Sequence, residues 1–194
     1  MSERVTNILL VGVGGQGILL ASEILSETFM LAGYDVKKSE IHGMSQRGGS
    51  VVSHVRYGRE VFSPLVPEGD GDILFGFELM ETYRYLSLLK KGGAVVVNDL
   101  EISPPSVLMG KEVYPEGLAD KIREKFSDFL LVDGQGLARE AGNLRAANTV
   151  LLGAVSRRLD IAEKYWMQAL EKMVPPKALE VNRKAFQLGR ELKG

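Results

Sequence analysis

The spacing of apolar and polar positions cuts the first two thirds of the chain into short strands joined by helices, and the last third into helices alone. Val5–Val11 (VTNILLV) is a short apolar run closing on Gly12, and a run with so little polar alternation suits a strand covered on both faces. Ile18–Leu31 is apolar nearly all round, which predicts a buried helix ended by Gly33. Tyr34–Lys38 predicts a second strand, so a right-handed βαβ unit opens the chain. Val51–Tyr57 alternates as a half-exposed strand, and Gly58-Arg59 predicts a turn into Glu60–Phe62, a hairpin. Pro64 and Pro67 interrupt the pattern before an apolar strand, Asp72–Phe77. Met80–Leu89 predicts a helix stopped by Gly92-Gly93, and Ala94–Asn98 another buried strand. Ser103–Lys111 is a Pro-rich connection, Gly117–Phe126 an amphipathic helix, and Phe129–Val132 a last strand ending at Asp133. From Arg145 onward the pattern is helical: Ala146–Arg158, Ile161–Met173, and a final helix after Pro175-Pro176. In that last helix Ala178, Val181, Ala185, Leu188 and Leu192 alternate three- and four-residue steps, a stripe for packing.

These elements predict a single α/β domain over residues 1–194. A Rossmann-like, mostly parallel sheet with a hairpin insertion occupies residues 1–143, and a helical C-terminal part occupies residues 144–194. A domain of this size buries roughly 70% of its unfolded surface, so it needs no disulfide or structural metal. With no cysteine the chain has no disulfide, no thiolate metal site and no cysteine-ligated iron–sulfur cluster. Two histidines, His42 and His54, are too few for a histidine metal cage, so no metal site is expected. The balance of 24 Lys+Arg against 25 Asp+Glu argues against a nucleic-acid partner. No apolar run reaches membrane-spanning length, and residues 1–7 do not read as a secretory leader; a soluble, cytoplasmic protein is expected.

Candidate chemistry concentrates in two glycine-rich segments. Gly12-Val13-Gly14-Gly15-Gln16-Gly17 matches G-x-G-x-x-G after a strand and at the start of a helix. Gly12 allows the tight turn, Gly14 lets backbone approach a phosphate, Gly17 permits close helix–strand packing, and the helix start adds free N–H groups. Gly15 and Gln16 place further donors there. The alternative is that the glycines only turn a strand into a helix. Dinucleotide binding calls for an acid at the end of the second strand, where this chain has Lys37 and Lys38. The second segment, Ile41–Ser50 (IHGMSQRGGS), follows the second strand and should lie at the carboxyl edge of the sheet beside the first. Arg47 offers a planar fork for phosphate or carboxylate. Ser45, Gln46 and Ser50 add neutral donors, and Gly48 and Gly49 let backbone come close.

Elsewhere the signals are plainer. His42 reads as a hydrogen-bonding group, His54 as a strand residue, and Asp133 as a helix cap. Asn98 and Asp99, at a strand's carboxyl end, could face the same crevice. Asn148 is either a buried hydrogen-bonder or an interface residue. Glu68, Asp70, Asp72, Glu78 and Glu81 read as a solvated rim. No nucleophile–base order and no G-x-x-x-x-G-K loop stands out, so no catalytic residue is assigned and the chain reads as a binder.

Gly12–Gly17, Arg47-Gly48-Gly49, Asn148–Ala154 (NTVLLGA), and Asn182 with Ala185-Phe186 and Gly189 resemble, in order, the 2-oxoacid:ferredoxin oxidoreductase gamma-domain family. Lys38–Gly49 (KSEIHGMSQRGG) more narrowly resembles the beta subunits of the indolepyruvate:ferredoxin oxidoreductase branch. The resemblance implies a subunit of an enzyme that decarboxylates arylpyruvates oxidatively, forms aryl-acetyl-CoA and reduces ferredoxin. In that family thiamine diphosphate and the iron–sulfur clusters belong to a large catalytic subunit, so no cofactor is expected on this chain alone. Gly12–Gly17 and Ser45–Ser50 become the candidate contacts for coenzyme A or for the partner's active-site edge. A lone chain could form a homodimer through surfaces meant for that partner. His42 and Met44 depart from the wider family. Two alternatives stay open: the gamma subunit of a pyruvate, 2-oxoglutarate or branched-chain enzyme, and a free-standing nucleotide-binding dehydrogenase or sensor.

Overall fold

The computed structural model describes residues 4–42 and 48–193. Strands β1 (Thr6–Val13), β2 (Asp35–His42), β3 (Ser50–Gly58), β4 (Gly71–Gly76), β5 (Leu89–Asn98) and β6 (Phe129–Val132) form one sheet, in the order β2-β3-β1-β4-β5-β6. The helices are α1 (Ile18–Leu31), α2 (Leu79–Arg84), α3 (Pro105–Leu108), α4 (Leu118–Lys125), α5 (Gly134–Ala141), α6 (Ala147–Ser156), α7 (Glu163–Met173) and α8 (Leu179–Glu191). β1, β4, β5 and β6 run parallel, whereas β3 is antiparallel to both β1 and β2.

β1 shows why the first apolar run has no alternation. Ile8 and Leu10 pack into one core with residues of α1, α6, α7 and α8, while Leu9 and Val11 pack into a second core that includes Leu118 and Ile122 of α4. Both faces of the strand are therefore dry. The larger core centres on Trp166, fully buried with its ring 6.3 Å from Phe29 and 5.5 Å from Phe186. α6 and α8 cross so closely that only glycine fits. A Cβ at Gly153 would lie 2.0 Å from the Phe186 carbonyl oxygen, and one at Gly189 would lie 1.9 Å from that of Val150.

Several boundaries differ from the sequence expectation. β2 does not stop at Lys38 but runs to His42, because β3 pairs with it along its whole length, Ser39 opposite His54 and Ile41 opposite Val52. The hairpin is β2–β3, with β3 filling the place between β1 and β2, so the opening βαβ unit skips one strand position. Glu60–Phe62 forms no strand. The Val61 N–H donates instead to Asp35 Oδ2 at 2.8 Å, and Arg56 holds the carbonyls of Ser63 and Leu65 at 2.9 Å each, which draws the chain off the sheet. Met80–Leu89 divides into α2 and a tight 3₁₀ turn, Leu86–Leu88, and Gly92-Gly93 sit inside β5. α5 starts at the cap that the sequence reads in Asp133, its carboxylate accepting the Gly136 N–H at 2.7 Å. Among the described residues no helix is long and apolar enough to cross a membrane.

His54 is buried on β3, where its Nδ1 accepts the Val66 N–H at 3.0 Å and pins the β3–β4 connection. Burial, and then the Arg56 charge, hold its imidazole below its ordinary value of about 6.5. The unfolded chain binds the proton first, so stability is full above that value and is lost as pH falls below it. Thermal midpoints should therefore drop between about pH 7.5 and pH 5.5 and flatten in His54→Asn, which keeps an acceptor but does not titrate. Gly153→Ala should destabilise by about 1–3 kcal/mol or more, read as a lower urea midpoint, because the clash is with backbone.

Candidate functional site

The glycine-rich exit from β1 is held by its own side chains. A Cβ at Gly12 would meet Gln16 Oε1 at 2.6 Å and Phe77 Cβ at 2.8 Å. Gly17 starts α1 with φ 80°, and a Cβ there would lie 2.1 Å from Asn148 Nδ2, which donates to the Gly17 carbonyl at 3.5 Å. Gln16 does not project its amide as a free donor. Its Oε1 accepts the Val13 N–H at 2.7 Å and its Nε2 donates to the Phe77 carbonyl at 2.9 Å. The same carbonyl accepts Asn98 Nδ2 at 3.3 Å, and Asn98 Oδ1 accepts the Gly134 N–H at 3.1 Å. This line of carboxamides fastens the ends of β1, β4 and β5 to the start of α5.

The end of the second glycine segment is bonded to the first. The Gly14 N–H donates to the Gly49 carbonyl at 2.9 Å, and the Gly48 N–H donates to the Gly14 carbonyl at 3.4 Å. The Gly14 N–H is thus committed to protein, not open to a phosphate. Ser50 Oγ lies 3.0 Å from the Tyr85 hydroxyl. Gly43, Met44, Ser45, Gln46 and Arg47 lie outside the described residues, as does the side chain of His42.

A cavity of about 310 Å³ opens beside this edge, lined by Gly15–Gly17, Phe77, Asn98, Gln135, Arg145 and Asn148 among others. It sits where parallel α/β sheets take ligands, beyond the carboxyl ends of the strands. No Asp or Glu lines it. α1 points its N-terminus there with no side-chain cap and no acid in its first turn, which leaves the positive end of the helix dipole uncompensated. Gln135 Oε1 is buried without a hydrogen-bond partner. Arg145 is exposed and forms no ion pair among the described residues. The cavity can hold an anion and offer one acceptor to a ligand N–H or O–H. Sequence reasoning missed Gln135 and Arg145, although Asp133-Gly134-Gln135-Gly136 repeats the strand–glycine–helix wording of the first loop.

Two sequence readings change. Glu78 and Glu81 are buried, not part of a solvated rim. Glu78 caps α2 through the Glu81 N–H at 2.7 Å and accepts the Ile102 N–H at 3.1 Å and the Tyr114 hydroxyl at 2.5 Å. Burial first, and then that bond to Glu78, push the Tyr114 phenol well above its ordinary range. Lys37 and Lys38 lie within β2, not at its end. Lys37 pairs with Asp35 at 2.6 Å, and Lys38 with Glu40 at 3.0 Å and Glu23 at 3.8 Å. Among the described residues no group of three or more His, Asp or Glu converges to hold a metal ion.

Residues 7–192 match the family model described as pyruvate ferredoxin/flavodoxin oxidoreductase. Indolepyruvate oxidoreductase subunit IorB of Pyrococcus horikoshii is 44% identical over 188 residues, covering 94% of this chain and 93% of that protein. The crystal structure of a keto/oxoacid ferredoxin oxidoreductase gamma subunit from Geobacter sulfurreducens superposes with a TM-score of 0.72 at 26% identity, covering 96% of each chain. The same fold occurs inside the 2-oxoglutarate:ferredoxin oxidoreductase of Magnetococcus marinus, with a TM-score of 0.73 at 22% identity. That match covers 97% of this chain and 31% of the longer one.

Gln16→Leu should remove the acceptor for the Val13 N–H and the donor to Phe77 together, destabilising the fold by about 1–3 kcal/mol. A urea denaturation midpoint equal to that of the parent would show the amide to be dispensable.

Proposed function

The chain belongs to the pyruvate ferredoxin/flavodoxin oxidoreductase family, and from that premise we propose that it is the small subunit of an indolepyruvate-type 2-oxoacid:ferredoxin oxidoreductase. The observation that carries this reading is 44% identity, over 94% of the chain, with a protein named as an indolepyruvate oxidoreductase subunit. A larger partner holds the thiamine diphosphate and iron–sulfur clusters, for which this chain supplies no cysteine. There arylpyruvates are decarboxylated oxidatively to aryl-acetyl-CoA, and ferredoxin takes the electrons. The complex works in the cytoplasm, and the lone chain pairs with itself through partner-facing surfaces.

This chain's part is binding. Gly12–Gly17 and Ser45–Ser50 contact coenzyme A phosphates and the partner's active-site edge. Three features support this: the two glycine segments are hydrogen-bonded neighbours, the α1 terminus is uncapped, and the adjoining cavity has no acidic lining. Within that cradle Gly15 and Gly17 remain the approach points, since Gly14 and Gln16 are occupied by the fold. The likeness to a keto/oxoacid gamma subunit favours a second reading, in which the same role serves a different oxoacid.

Reconstitution tests both. The large subunit should reduce dye with indolepyruvate and coenzyme A only when this chain is present, and faster than with pyruvate or 2-oxoglutarate. Equal activity without the chain would end the subunit reading, and preference for another oxoacid would select the second. Arg47→Ala should raise the KM for coenzyme A or the Kd for assembly about tenfold, the scale of one charge-assisted bond.

A further inference from the structure

A second cavity, of about 390 Å³, shares Arg145 with the first. Leu20, Val174, Pro175 and Val181 give it apolar walls, and Arg145 and Lys177 are its charged members; no Asp or Glu lines it. Both cations are exposed, and neither forms an ion pair among the described residues. In a chain carrying 25 acidic residues, an apolar hollow flanked by two uncompensated cations is a marked local asymmetry. Apolar side chains next in sequence to its lining are exposed as well: Leu19, beside Leu20 at the start of α1, is 43% exposed, and Leu144, beside Arg145 and lining the first cavity, is 51% exposed.

We infer that this hollow is a docking groove for the large partner subunit, and that it takes a segment with an Asp or Glu set among apolar side chains. The carboxylate pairs with Arg145, whose fork matches it, and Lys177 adds attraction at longer range. The apolar neighbours of that carboxylate fill the hollow and extend over Leu19 and Leu144 beside it. Charge complementarity sets the sign of the partner segment. The exposed leucines favour polypeptide over a small anion, because Leu19 and Leu144 lie outside the lining of the hollow and only a longer ligand covers them. The inference rests on the subunit role proposed above.

The experiment measures assembly of the full chain with its large subunit by calorimetry at low and high salt, and then the KM for coenzyme A. Arg145→Glu should weaken assembly at least tenfold, Lys177→Glu less, and both losses should shrink in high salt as screening rises. Leu144→Ser should weaken assembly without that salt dependence. Thermal midpoints matching the parent show that each variant folds. Assembly within twofold of the parent for all three variants overturns the groove, as does normal assembly with a raised KM for coenzyme A, which gives Arg145 to a small anion in the first cavity. If the parent chain itself does not associate with the large subunit, the subunit role falls and the groove with it.

Discussion

The close crossing of α6 and α8 sets the geometry of everything at the carboxyl edge. Gly153 and Gly189 bring two helix backbones into contact that no Cβ would allow. The start of α6 carries Asn148 to the carbonyl of Gly17, and the turn before it carries Arg145 to the wall shared by two cavities. The start of α8 contributes Val181 to the second cavity. Thr149 and Asn182 bind each other at 2.6 Å and lock the two helices in register. A wider crossing would draw Asn148 away from the glycine loop, so a packing constraint in the helical third fixes side chains at the edge of the sheet.

The antiparallel strand β3 is the second determinant. By pairing with both β1 and β2 it pushes β2 one strand further out, about 10 Å from β1 by ordinary strand spacing. In a dinucleotide fold the ribose-binding acid sits at the end of the strand next to β1, and here β3 occupies that place and runs the other way. Its start then delivers Gly48 and Gly49 to Gly14. The insertion thus takes away the dinucleotide geometry and sets two glycine segments side by side.

Much of this was legible from residue order. β6 and α1 fall where the apolar runs place them, and the glycine motif sits where the sequence puts it, between β1 and α1. What failed was long-range. Ser39–His42 look like loop because their polar side chains mask a strand whose stability comes from β3. Gly92-Gly93 look like a helix stop because glycine inside β5 is tolerated at an irregular register beside Gly71. Glu78 looks solvated until the fold brings Ile102 and Tyr114 to it from 24 and 36 residues away. Gln16 reads as a ligand donor because sequence cannot show that Phe77 will arrive to accept its amide.

The chain has one tryptophan, and the fold places it entirely inside the packing of α1, α7 and α8. Trp166 lies among Phe29, Phe186 and aliphatic side chains of the larger core. Its emission is therefore an intrinsic optical gauge of the helical layer alone. Parting those helices reddens it, while an event confined to the outer edge of the sheet leaves its colour unchanged.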